Sequence, residues 1–219
     1  MATARWRYPR GLIAPPARLQ PNGAPLQLFE RGLWDPAEEY WGEAEDAVPV
    51  PLVEVASAGP RQSFEFEQLL PGGEAADPED PIGAALALRD RGEAERAAAL
   101  LAGLLEWDRR CLDVHAHLGL FAFERDQIDA ALGHYAAGVA VAELSLPEEF
   151  GGVIGWSWID NRPFLRCLQG LTLSAWRSGE FEAAEALCRA LLWLNPGDHL
   201  GASELLPQLI AGERWQAAR

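Results

Sequence analysis

The chain has 219 residues, of which 49% are hydrophobic, and its 33 acidic residues against 18 basic ones leave a net charge of −15. That size suits one domain with an extension, or two small domains, and is enough to bury a core. The acidity argues against nucleic acid as a partner, because phosphate binding rests on a basic surface, and no apolar run approaches the ~20 residues of a membrane-spanning helix.

Residues 1–20 carry Arg5, Arg7, Arg10 and Arg18 and no acid. They imitate the basic start of a secretory signal, but the apolar stretch 11–14 is too short and Pro15-Pro16 ends it, so no signal is read here. Residues 21–80 hold fourteen acids against Arg31 and Arg61, a balance of −12. Within them, 26–41 (LQLFERGLWDPAEEYW) reads as a short amphipathic piece, with Asp35-Pro36 opening a helical turn. Residues 50–55 and 63–67 alternate around Ala58-Gly59-Pro60, which reads as a β-hairpin. The stretch 74–81 (EAADPEDP) is an acidic link. Trp6, Phe29, Trp34, Tyr40, Trp41, Phe64 and Phe66 are too many large apolar groups for a solvated tail. Residues 1–80 are therefore expected to form a mostly irregular Pro/Gly/Trp-rich extension that packs on the remainder.

From residue 81 to 219 the composition turns to alanine and leucine with helical periodicity. The periodicity predicts helices near 82–91, 93–107, 112–124, 127–143, 164–178, 181–194 and 199–210, the last opened by Asp198 as N-cap. A spacing recurs in them. Ala97-x3-Leu101 returns as Ala131-x3-Tyr135 thirty-four residues later, and again as Ala184-x3-Cys188 fifty-three residues further on. The second interval is the first plus an insertion of nineteen. A small residue followed by a large one on the next turn lets two antiparallel helices approach closely. Leu101, Leu104, Leu118, Tyr135, Leu171, Ala184, Cys188 and Leu191 are the expected core.

This pattern resembles the tetratricopeptide repeat, a helix-turn-helix of thirty-four residues. The resemblance rests on Leu118, Gly119, Ala131, Tyr135, Leu171, Gly179, Phe181, Ala184 and Pro196. The runs D-N-R-P-F-L-R and L-N-P-G-D-x-x-G are similar to bacterial members of that class. It implies an all-α fold of about three helical hairpins plus a capping helix, stacked because no pair buries its own face. In such stacks the first helix of each pair lines the binding groove. That places Arg89, Asp113, His117, Phe123, Arg166, Gln169, Trp176 and Arg177 there. The chain lacks lysine, so it departs from the lysine/asparagine clamp of chaperone-binding members.

The insertion, 146–166, loosens at Gly151, Gly152 and Gly155. It then concentrates Trp156, Trp158, Asp160, Asn161, Arg162, Pro163 and Phe164. One reading is structural: Asn161 caps the next helix, Pro163 sits in its first turn, and Asp160 pairs with Arg162. The other adds Trp156, Trp158, Asp160, Asn161 and Arg162 to Arg166, Gln169, Trp176, Arg177 and Phe123 as a partner-binding set. Arg166, Trp176 and Arg177 make a basic-aromatic patch able to hold a carboxylate or an extended peptide. The competing reading pairs these arginines with acids of the neighbouring repeat.

Other chemistry finds little footing. Cys111, His115 and His117 are not joined by a second cluster that would complete a tetrahedral metal site. Ser157 lacks the glycine and the strand of a nucleophile elbow, and without lysine there is no phosphate loop. The expectation is a protein without enzymatic activity, metal or cofactor. It binds another protein or peptide as a scaffold or adaptor, with a further contact from residues 21–80 onto the basic-aromatic patch. Three widely spaced cysteines suggest reduced thiols and a cytoplasmic location. Alternatives are a subunit of a larger bacterial assembly, or a small-molecule, enzyme-like pocket at 146–166.

Overall fold

A computed structural model describes residues 8–42, 47–69 and 80–216. Trp6, Arg5, Arg7 and the link 74–79 lie outside the described residues. The chain is mostly helical with one two-stranded antiparallel sheet. Its elements are β1 (Leu28–Trp34), α1 (Val50–Ala56), β2 (Arg61–Phe66), then α2 (Pro81–Asp90), α3 (Ala94–Trp107), α4 (Leu112–Glu124), α5 (Ile128–Ser145), α6 (Arg162–Ser178), α7 (Phe181–Leu194) and α8 (Ala202–Ile210). Helices α2 to α8 lie within a few residues of the expected bounds. From α2 onward each helix packs on the next, α4 also packs directly on α6, and α1 sits against α7 and α8.

Local chemistry sets the helix ends. Asp80 accepts from Ile82 N at 3.0 Å and Pro81 follows it at the first helical position, where its missing N–H costs nothing. Asp198 does cap α8, but from further back than expected. The helix begins at Ala202 after Gly201, and the Asp198 carboxylate reaches forward to Ala202 N at 2.7 Å and Ser203 N at 3.1 Å.

Two cores form, sharing α4. The smaller joins Ala85, Ala97 and Leu101 to Val114, Leu118 and Phe121. The larger runs from α4 to α8 and takes in Tyr8, Leu26, Leu52, Val55 and Phe66 of the extension. Of the expected core residues, Leu104 is only half-buried, and Leu105 turns inward beside it. Close approach carries the middle of the stack. A Cβ added at Gly119 or at Gly170 would run into the Tyr135 ring, so these two glycines let α4 and α6 both close on the tyrosine of α5.

The extension is more regular than its composition suggested, and two readings of it are corrected. The stretch 26–41 is not one amphipathic piece: Leu28–Trp34 form β1, bulged between Glu30 and Gly32, where Gly32 at φ +105° has a conformation no helix admits. The expected turn at Asp35-Pro36 follows it, with Glu38 N donating to Asp35 O at 3.0 Å. Residues 50–55 are not a strand but α1, where Pro51 presets a helical first turn and Leu52 and Val55, three apart, share the buried face. Alternation and a three-residue spacing coincide over so short a run. β2 therefore pairs with β1, in the register Leu28 with Phe66 to Trp34 with Arg61. The insertion extends this pairing, with Val153 bridged to Ser63 and Phe64 N donating to Val153 O at 2.8 Å.

Candidate partner-binding face

The first helices of the pairs, α2, α4 and α6, bring one set of expected residues together. On α6, Arg162 and Arg166 are one turn apart and share a face. Both guanidiniums lie on the Trp156 ring, at 5.2 and 5.5 Å from its centroid. Arg162 also donates through Nε to Trp156 O at 3.0 Å, which fixes the insertion against the helix. It does not pair with Asp160, contrary to the structural reading of the insertion. His199 stacks on Trp156, with centroids 6.4 Å apart and planes 16° from parallel.

Across the groove from Arg166, α4 presents Asp113, whose Oδ1 is 3.8 Å from Arg166 Nη1 and 3.5 Å from His117 Nε2. Burial holds His117 below the usual imidazole range, while Asp113 opposes the shift. Arg89 of α2 lies 5.4 Å over the Phe121 ring. Gln169 donates to Leu200 O at 2.8 Å and ties α6 to the loop before α8.

A second group sits three turns along α6. Arg177 lies 5.3 Å over the Phe123 ring and its Nη2 is 2.6 Å from Asp126 Oδ1. Trp176 is buried, 5% exposed, and the group that covers it was not read from sequence: the segment after α8. Trp176 donates to Glu213 O at 2.7 Å. Trp215 meets Trp176 edge-on at 5.3 Å and Phe123 at 5.8 Å. The only trace of this in the sequence is a single tryptophan among small and polar residues past the last helix.

Three expected site residues stand apart from that face. Asn161 is fully buried and spends its side chain on the extension and the insertion: Oδ1 accepts from Phe66 N at 3.0 Å, and Nδ2 donates to Phe64 O at 2.8 Å and Gly155 O at 3.1 Å. It occupies the N-cap position of α6 without capping by its side chain. Trp158 faces the extension, with Arg31 at 5.3 Å over its ring. Asp160 faces Glu65, and burial first, then that neighbouring charge, raises its carboxyl above the usual range.

Among the described residues of the extension, none is in contact with Arg166, Trp176 or Arg177. The extension's contacts run to the second helices and the insertion. Arg10 donates to Leu146 O at 2.7 Å, Leu26 N to Ser145 Oγ at 2.8 Å and Trp41 Nε1 to Pro196 O at 2.8 Å. Arg61 donates to Trp193 O at 2.8 Å and is sandwiched between Trp34 and Trp193, at 4.9 and 4.0 Å. With no counter-charge beside it, burial pulls its pKa down to about 10. The reason for the placement is apolar: Tyr8, Leu26, Leu52, Val55 and Phe66 find uncovered surface on that side of the stack.

Among the described residues, no three His, Cys, Asp or Glu side chains converge as a metal site, and no helix is long and apolar enough to cross a membrane.

No family model matches the sequence, and no solved structure does. Two curated proteins are similar over part of their length. The polyamine aminopropyltransferase of Erwinia tasmaniensis is 31% identical over 109 residues, covering 47% of this chain and 35% of that protein. The polyamine aminopropyltransferase of Pectobacterium carotovorum is 32% identical over 79 residues, covering 36% of this chain and 25% of that protein. The chain thus spans about a quarter to a third of the curated relatives it matches. Both relatives are enzymes by name, so the expectation of a protein without enzymatic activity is withdrawn.

Proposed function

We propose that α2 to α8 are tetratricopeptide-type hairpins and that the face carried by α2, α4 and α6 binds an extended, carboxylate-bearing segment of a partner protein in the cytoplasm. One observation carries this reading. Four guanidiniums, Arg89, Arg162, Arg166 and Arg177, are held on aromatic rings along one face of a chain whose net charge is −15. Stacking fixes each planar fork. Arg177 is paired with Asp126, Arg89 with Asp90, and Arg162 Nε with Trp156 O, so Arg166 is the fork whose edge is open to take a carboxylate in two parallel hydrogen bonds. Arg166 is 45% exposed, and its 3.8 Å contact with Asp113 is long enough to be exchanged for a ligand's carboxylate. The recurring small-x3-large pairs, and the free state of Cys111, Cys167 and Cys188, are in keeping with the repeat and with a reducing compartment.

The test is titration of a short fluorescent peptide of alternating Glu and Gly, with the Gln counterpart as control. Charge-assisted hydrogen bonds contribute about 1.5–3 kcal/mol each, so Arg166→Glu should weaken binding by about tenfold or more. Equal binding of the Glu and Gln peptides would refute the reading.

The two aminopropyltransferase matches favour a second reading, in which the chain takes part in aminopropyl transfer to polyamines as a helical module of that machinery. Its test is aminopropyl transfer to a polyamine acceptor, assayed with the chain alone and with an added polyamine aminopropyltransferase. Turnover, or a change in turnover, carries this reading. Unchanged rates in both arms remove it.

A further inference from the structure

Past α8 the chain turns at Ala211-Gly212, and residues 213–216 run without regular structure along the ends of α4 and α6. They make a small number of well-defined contacts. The Glu213 carbonyl takes the Trp176 indole hydrogen at 2.7 Å. The Trp215 ring stands at 89° to Trp176 and 88° to Phe123. Two edge-to-face neighbours around one ring form a slot shaped for an aromatic side chain, and Arg177 on Phe123 closes its wall. Glu213 and Arg214 point to solvent, so only the carbonyl and the ring two residues later are read.

The seat is good but incomplete. Trp215 Nε1 is buried with no hydrogen-bond partner among the described residues, and an orphaned donor subtracts from the net affinity of the tail. What keeps the tail in place is its tether. A short tether gives a segment an effective concentration in the millimolar range, so even a weak intramolecular contact stays occupied.

We propose that the slot between Phe123 and Trp176 is a recognition site for an aromatic residue in an extended segment, and that residues 213–216 are its resident, displaceable ligand. The partner it fits presents a backbone carbonyl to Trp176 and, two residues on, an aromatic ring to Phe123. An occupant that leaves no donor unpaired in the slot, as a phenylalanine would, avoids the penalty the resident tail carries. This rests on reading the α2, α4 and α6 face as the binding face, and it specifies what one end of that face selects.

The test uses the full chain with Trp215→Ala and a fluorescein-labelled peptide of residues 211–219, AGERWQAAR. The peptide should bind the Trp215→Ala chain about tenfold or more tightly than the unsubstituted chain, whose own Trp215 competes from its tether. Adding Phe123→Ala should abolish that gain. Equal affinity for the two chains, or a gain that survives Phe123→Ala, overturns the proposal. If Trp215→Ala loses helical circular dichroism, the unsubstituted chain supplies the second readout. Excess unlabelled peptide should speed hydrogen exchange of the chain's own Trp215 indole, which is buried while the segment is seated, and unchanged exchange overturns the proposal. A Glu-Gly peptide that binds through Arg162 and Arg166 while the tail peptide fails overturns the slot alone and leaves the binding face intact.

Discussion

Asn161→Ala is the substitution whose cost follows most directly from the geometry. The side chain is fully buried and makes three hydrogen bonds, all to main-chain groups: Phe66 N, Phe64 O and Gly155 O. Alanine leaves these groups without that partner. A buried group deprived of its hydrogen bond costs about 1–3 kcal/mol; Gly155 O keeps the Trp158 N–H at 3.3 Å, so the other two sum to about 2–6 kcal/mol. Entry of water into the space vacated by the amide brings the expected loss to the lower half of that range. That is a large fraction of the ~5–15 kcal/mol by which a domain is stable. The loss has a structural direction too. Asn161 pins β2 to the start of α6, where the Phe66 and Phe164 rings meet edge-on at 5.4 Å, so release should loosen the sheet before the helices. Asn161→Asp should be worse than alanine at neutral pH, because it sets a buried carboxylate oxygen against two carbonyls. Urea denaturation followed by circular dichroism gives the magnitude, and hydrogen exchange at 61–66 gives the place. A loss under about 1 kcal/mol for Asn161→Ala would refute the claim that this side chain holds the sheet to the stack.

Gly170→Ala should cost about 1–3 kcal/mol through overpacking against Tyr135, and pairing it with Tyr135→Leu should recover part of that loss, read as non-additivity in urea midpoints. Acid should destabilise the fold through two imidazoles 5.7 Å apart, His115 buried and His134 half-buried. Burial pushes His115 and His134 down to about 4, well below the ~6.5 of an unfolded chain, so the unfolded state takes up protons first. Stability is then full above about pH 6.5 and falls as pH drops towards about 4, by about 3 kcal/mol for each histidine. His134→Leu should remove about half of that slope in a pH series of denaturant midpoints, and an unchanged slope would show that the imidazoles are not its source.

The helical half was legible because its information is local. Hydrogen bonds four residues apart, a 3.6-residue apolar period, and stop signals such as Gly179 and Pro196 are all contained within one turn or two of the element they define, so α2 to α8 fell close to their expected ends. The same locality brought Arg162, Arg166, Phe123, Trp176 and Arg177 into view as members of one face. Where the deciding partner was distant, the reading failed. Strand pairing is such a case: β2 looked like the second arm of a hairpin with 50–55, but its partner is β1, and the intervening segment folds as α1. Asn161 read as a helix cap because nothing adjacent shows that its amide is claimed by a strand 95 residues earlier. Trp215 carried no pattern at all, and only the packed ends of α4 and α6 create the slot that holds it. The sequence by itself settled helices α2 to α8 and, but for Leu105 in place of Leu104, their phase, since those depend on neighbours along the chain. Tertiary structure alone decided which strand pairs, which side of the stack the extension covers and which tail fills the face, since those depend on surfaces that exist only after the helices have packed.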